Sequence, residues 1–189
     1  MFFNSLAAIE SPHKSSQALF IRLGINAPFP NPVPVTPLTA PSPAIFIYSA
    51  STTIGLFAIQ LVRISRTTSG KPYRIFVTAN PKHHAKLLAS GVEAAFDYRS
   101  KTWIEEVRKA SGGISIAFDC IAEGDSTAQI SQTFVEEGGS IVVARRVAWN
   151  KNGIREGVTP IYISVWRGLG HEITFSGTYG DTDLPSVCR

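Results

Sequence analysis

The chain has 189 residues, 44% hydrophobic and 17% charged, with mean hydropathy +0.09, the profile of one globular domain of generous size. That profile excludes disorder and collagen, and no apolar run approaches the ~20 residues that span a bilayer. The net charge of +4 is unevenly divided: residues 1–92 hold eight Lys or Arg against one acid, Glu10, whereas residues 93–189 hold thirteen acids and ten bases, so the first half is the one expected to meet an anion.

Residues 1–44 read as a helix and a linker. A helix is expected from Ser15 or Ser16 to Leu23, with a hydroxyl as N-cap and Gly24 as its stop. Seven of the twelve prolines then fall between Pro28 and Pro43, where they enforce an extended connector. From Ile45 onward, short apolar runs alternate with amphipathic stretches. Strands are expected at Ile45–Ser49, Arg74–Ala79, Ala94–Asp97, Ser115–Cys120, Ser140–Ala144 and Glu172–Ser176. Helices are expected at Ile54–Arg66, Pro81–Ser90, Lys101–Ala110 and Ser126–Val135, with a further candidate at Ile161–Leu169. Asn80 before Pro81 reads as N-cap then first helical residue, Ser100 and Asp125 read as caps, and Gly91, Gly112 and Gly138 follow helix ends.

Strands alternating with helices at this spacing require parallel pairing through right-handed crossovers. The predicted fold is therefore α/β: a doubly wound parallel six-stranded sheet of the Rossmann type over residues 45–180, with a tail at 181–189. Ligands of such sheets sit at the carboxyl ends of the strands where the strand order reverses, which places the site just after Ser49.

The turn there is Ser49-Ala50-Ser51-Thr52-Thr53-Ile54-Gly55. Against the pattern GxGxxG only the third glycine, Gly55, is present; Ala50 and Thr52 hold the other two places. Small residues still allow a tight turn, amides at the helix start can bind a pyrophosphate, and the hydroxyls of Ser51, Thr52 and Thr53 can add to them; a plain helix cap with spare hydroxyls is the alternative. At the end of the second strand stands Ala79-Asn80-Pro81-Lys82-His83-His84. An NAD site usually places an acid there for the ribose 2′-hydroxyl. None is present, and Lys82, His83 and the helix start offer positive potential to a 2′-phosphate, so NADP(H) is expected over NAD(H), against the alternative of a solvated helix start.

Cys120 and Cys188 form neither a disulfide framework nor a zinc site, and CxxC and HExxH are absent; no metal is expected. The start Met1–Ile9 lacks the positive region of a signal peptide, and a cytoplasmic location is expected. The bases of the first half are too dispersed for a nucleic-acid surface. Neither GxxxxGK[ST] nor GxSxG occurs, which excludes a P-loop NTPase and a nucleophile-elbow hydrolase. None of the five tyrosines is followed four residues later by lysine, which removes the Tyr-x-x-x-Lys dyad of short-chain dehydrogenases.

Taken in order, Ile45–Ser65, Val77–Ser100, Ala110–Gly113, Ile116–Asp125 and Glu136–Val143 resemble the coenzyme domain of the medium-chain dehydrogenase/reductase superfamily, in its zinc-free fungal branch of trans-acting enoyl reductases and toxin-cluster oxidoreductases. The likeness runs from about Ser15 to Gly180. It implies a phosphate loop at Ser51, Thr52, Thr53 and Ile54, and a 2′-phosphate contact at Asn80, Pro81, Lys82 and His83, where Asn stands for the branch's Ser and His for its Asn. It also implies that Tyr98 of the Phe96-Asp97-Tyr98 motif lies on the adenine side, that Ala144 and Arg145 lie near the nicotinamide, and that Gly177–Gly180 helps line the cleft. Read from residue type alone, Tyr98, Asp119 and Cys120 are core or turn residues, with Asp119 capping a turn.

Family members begin with a GroES-like catalytic domain, which this sequence is expected to lack. The resemblance implies an NADPH-dependent oxidoreductase passing a hydride to an enoyl or carbonyl substrate, a small molecule or a carrier-bound acyl chain; a non-catalytic NADP(H)-binding or partner-binding module is the other reading.

Overall fold

Strand β1, Ala44–Tyr48, is buried at all five residues, as a strand must be when helices cover both faces of its sheet. It lies at the centre of the chain's computed structural model, which describes residues 11–28, 42–145 and 153–163. After β1 come α2 (Thr53–Ile64), β2 (Arg74–Thr78), a 3-10 turn (Pro81–His83) leading into α3 (His84–Ala89), β3 (Ala94–Phe96), α4 (Trp103–Ser111), β4 (Ile116–Asp119), α5 (Ser126–Ser131), β5 (Gly139–Val143) and β6 (Val158–Tyr162).

The sheet runs β3-β2-β1-β4-β5-β6 and every pairing is parallel. This is the doubly wound order, with its reversal between β1 and β4; Ile45 is in register with Ile75 on one side and Ile116 on the other. One face of the sheet packs Ile45, Ile47, Val77, Phe118 and Val142 under α1 (residues 11–22), α2 and α3; the other packs Phe46, Phe76, Ala117, Ile141 and Val143 against Trp103, Val107, Ile130 and Phe134 of α4 and the stretch from α5 to β5. Phe46, Phe76, Phe118 and Phe134 are fully enclosed, each contributing about 1.5–3 kcal/mol through burial.

Helix α1 comprises α-helical residues 11–16 continued by a π-helix, Gln17–Arg22. It therefore begins before the expected Ser15 or Ser16. Ser16 has helical dihedrals and caps nothing. The buried Ser15 hydroxyl instead lies 2.9 Å from the carbonyl oxygens of both Ser11 and Ile54, tying α1 to the start of α2. Asn26 Nδ2 donates to Arg66 O at 3.2 Å beyond the far end of α2, so the two helices run side by side in the same direction.

The sixth strand differs from expectation. It is Val158–Tyr162, so the helix expected over Ile161–Leu169 does not begin at Ile161; the expected strand Glu172–Ser176, with Gly177–Gly180 after it, lies outside the described residues. Pro160 sits within β6, which is tolerated because β6 is an edge strand among the described residues. Caps also shift. Asn80 accepts from Lys82 N as expected, but α4 has Thr102 at its N-cap, with Ser100 Oγ accepting from Thr102 N one step earlier. Asp125 holds the N-cap position of α5 as expected, without a side-chain cap bond. Most of the proline-rich connector lies outside the described residues. No described helix is long and apolar enough to cross a membrane.

Opposite the end where ligands bind, Arg74 at the start of β2 clamps three elements. Its guanidinium is bidentate to Glu93 and donates to the carbonyls of Ala110 and Ser111 at the end of α4, at 3.0 and 3.1 Å. Gly112, with φ +79°, then ends α4 in the left-handed conformation that glycine adopts without strain.

Candidate functional site: a cleft at the strand reversal

The exits of β1 and β4 are adjacent in the sheet, and both turn sharply. Ser49 (φ +58°) and Ala122 (φ +51°) hold left-handed backbone without being glycine, at a cost of roughly 1–2 kcal/mol each. Hydrogen bonds enforce the first turn: Ser49 N donates to Thr78 Oγ1 at 3.0 Å and Ala50 N to Thr78 O at 2.9 Å. Thr52 is the N-cap of α2, donating its hydroxyl to Ser49 O and accepting from Gly55 N. Gly55 serves packing: a Cβ there would come within 2.6 Å of Ala50 Cα and 2.7 Å of Ala50 O. The third glycine of the motif thus survives because α2 touches the strand exit, and the amides of Thr53 and Ile54 open the helix with no preceding turn to bond to.

The second turn is organised by Asp119. Its side chain, fully buried, accepts from Ile121 N (3.2 Å), Ala122 N (2.8 Å), Ser126 Oγ (2.6 Å) and Thr127 Oγ1 (3.0 Å). Burial raises the Asp119 carboxyl above the ordinary range, outweighing the opposite pull of these four donors. With its oxygens occupied by the turn, Asp119 is a structural anchor. Its backbone oxygen also accepts from Ala144 N at 3.0 Å, joining the exits of β4 and β5.

Between the turns lies a cleft of about 300 Å³ lined by Tyr48, Ser49, Ser51, Thr52, Ala79, Asn80, Tyr98, Ile121 and Glu123, at the small end of the roughly 300–1,000 Å³ usual for ligand pockets. Of the residues singled out in the sequence, Ser51, Thr52, Asn80 and Tyr98 line it. Thr53, Ile54 and Gly55 form the first turn of α2, Ile54 half-buried and Gly55 buried. Pro81, Lys82 and His83 make the 3-10 turn at its rim, Pro81 and Lys82 exposed and His83 half-exposed. The neighbouring His84 has Nε2 3.0 Å from Ala79 O. Ala144 is buried in the core, whereas Arg145 is exposed and ion-paired with Glu123.

Tyr98 meets Tyr48 edge-on at 6.4 Å between ring centroids, and the Arg99 guanidinium covers its ring at 5.6 Å. Burial, then the nearby Asp119 and Tyr98, push the Tyr48 phenol up to about 12. Cys120 is buried and its thiol is raised well above the ordinary value, chiefly by burial, which makes it unreactive. Among the described residues no group of three or more His, Cys, Asp or Glu is placed to hold a metal ion.

Tyr48, Ser49, Ala79, Ile121 and Glu123 were not singled out in the sequence. The first three adjoin the marked turns and follow from extending each strand to its exit. Ile121 and Glu123 follow only from the adjacency of β4 to β1.

No protein-family model matches the chain. The trans-enoyl reductase mycC of Thermothelomyces thermophilus is 28% identical over 172 residues, 90% of this chain and 45% of that protein. The trans-enoyl reductase gkaC of Penicillium citrinum is 33% identical over 118 residues, 62% of this chain and 30% of that protein. The chain is similar to fungal trans-enoyl reductases. Among solved structures, the CurK enoyl reductase superposes with TM-score 0.64 over 84% of this chain and 43% of that one, at 18% identity, a likeness of fold. The chain spans less than half the length of these curated relatives.

Proposed function

We propose that this chain binds NADP(H) along the C-terminal edge of its sheet and serves an oxidoreductase of the enoyl reductase type. The observation that carries this is the cleft at the β1/β4 reversal, bounded on one side by the capped start of α2 and on the other by the acid-free turn Asn80-Pro81-Lys82-His83. The residues fit a dinucleotide. The amides of Thr53 and Ile54 and the hydroxyls of Ser51 and Thr53 would hold the pyrophosphate, and the absence of a Cβ at Gly55 keeps that helix start against the strand exit. Tyr98 and Tyr48 would flank the adenine. Lys82, His83 and the backbone of the turn capped by Asn80 would take the 2′-phosphate by charge-assisted hydrogen bonds.

When bound, the dihydronicotinamide supplies a hydride; the chain's part is to orient it beyond β4 and β5, next to Ala144. The substrate reading, an enoyl or carbonyl group on a small molecule or a carrier-bound acyl chain, draws on the trans-enoyl reductase relatives. We take residues 45–180 as the nucleotide-binding unit.

The test is NADPH oxidation, followed at 340 nm, with enoyl thioesters offered to the purified chain and to the chain mixed with a catalytic domain from one of its relatives. Thioester-dependent oxidation in either mixture supports the reading. Tight NADPH binding with no turnover in both would show a binding module in place of an enzyme.

A further inference from the structure

Glu123 places a carboxylate in a cleft that the preceding reading assigns to an anion. Its position is built, not incidental. Asp119 holds the amides of Ile121 and Ala122, Ala122 is forced into left-handed backbone, and Glu123 O accepts from Ser126 N at 3.2 Å where α5 begins. The backbone on both sides of Glu123 is therefore fixed, and its side chain lines the cleft with Asn80, Tyr98 and Ser51. Its partner is the Arg145 guanidinium. Arg145 follows Ala144, whose amide is anchored on Asp119 O, so one buried aspartate registers both members of the pair. The pair joins the exits of β4 and β5 beside the β1/β4 reversal, the crevice a dinucleotide crosses in sheets of this order.

Both side chains are more than half exposed, at 60% for Arg145 and 56% for Glu123. A pair so exposed is held only weakly, because water and salt screen it. The Arg145–Glu123 pair is made through one guanidinium nitrogen, whereas a guanidinium can bond a phosphate bidentately, which gives a pyrophosphate in the crevice the advantage for Arg145.

We propose that Glu123 and Arg145 form an exchangeable latch, in which Arg145 leaves Glu123 for the pyrophosphate of the incoming dinucleotide. Glu123 then sets the affinity for the dinucleotide from within the cleft, by holding its counter-ion in the empty state. This rests on the dinucleotide reading above. It differs from the role of Lys82 and His83 in acting equally on cofactors with and without a 2′-phosphate, since the pyrophosphate is common to both.

The experiment is equilibrium binding of NADPH, NADH and 2′-AMP, by calorimetry, to the full chain and to Glu123→Gln, Arg145→Gln and the double variant, each checked for an unchanged melting temperature. The latch requires Glu123→Gln to tighten NADPH and NADH alike, by about two- to fivefold, and Arg145→Gln to weaken both. The gain from Glu123→Gln must vanish in the Arg145→Gln background, and 2′-AMP, which has no pyrophosphate, must bind all four proteins equally. Weaker dinucleotide binding by Glu123→Gln overturns the latch, because Glu123 would then be gripping the ligand itself. A gain that persists without Arg145, or appears with 2′-AMP, also overturns it, as simple charge repulsion. Failure of the unaltered chain to bind either dinucleotide overturns the nucleotide reading, and the latch falls with it.

Discussion

The two edges of the sheet handle the same backbone problem in opposite ways. At the N-terminal edge, where chains enter strands, left-handed positions are filled by Gly70, Gly91, Gly112, Gly138 and Gly157, which adopt them without a Cβ penalty. At the C-terminal edge, where chains leave β1 and β4, Ser49 and Ala122 take them; glycine enters only at Gly124, two residues later. The N-terminal edge is fastened by an outward clamp, Arg74 on Glu93 and two helix-end carbonyls. The C-terminal edge is fastened inward, by a buried carboxylate that bonds four donors. Strained turns over a buried polar anchor, next to a cleft, are the pattern of a site kept in shape for a ligand. At the opposite edge the left-handed positions are glycines and the anchor is a partly exposed ion pair.

That contrast breaks if the two anchors can be exchanged without distinction. The largest effect is expected for Asp119→Ala, which leaves two amides and two hydroxyls without their acceptor in a closed interior; urea unfolding should show a loss of about 3 kcal/mol, with nucleotide binding abolished. Asp119→Asn should lose less, because one oxygen remains. At the other edge Arg74→Ala should cost about 1–2 kcal/mol and leave nucleotide affinity unchanged within twofold. A parallel loss of affinity would show that the edges are coupled, contrary to the division drawn here.

The smallest effect on stability is expected for Ser49→Gly. Relief of the left-handed backbone is offset by the greater freedom of glycine in the unfolded chain, so the melting temperature should move by only a few degrees, while dinucleotide affinity falls as the turn loses its fixed shape. The Tyr48 phenol, pushed up to about 12, adds a pH signature. A group whose native form holds its proton more tightly stabilises the fold fully below the ordinary value of 10, and that contribution drains away as pH rises from 10 toward 12. Tyr48→Phe should flatten this alkaline loss.

The sequence reading reached β1 to β5 because each is a short apolar run ended by a turn signal, and β1, β2 and β4 are buried almost throughout. It missed β6 because Pro160 interrupts the run and only Val158 of the five residues is buried, so no apolar pattern marks an edge strand of that kind. The start of α1 was placed late because Ser15 and Ser16 look like caps; Ser15 is in fact used at a distance, on Ile54. In the site, Ser51, Thr52, Asn80 and Tyr98 were legible, since turn chemistry is local. Glu123 was not, because its relevance depends on β4 lying beside β1, and the Asp119 network that aims it involves residues up to eight apart.

The most direct measurement of the central claim is a calorimetric titration of the unaltered chain and of Lys82→Glu with NADPH and with NADH. The account predicts that the unaltered chain prefers NADPH by about tenfold or more, the size of one charge-assisted hydrogen bond, and that Lys82→Glu removes this preference while leaving NADH affinity nearly intact. Equal affinity of the unaltered chain for the two dinucleotides, or equal losses for both in the variant, would contradict it.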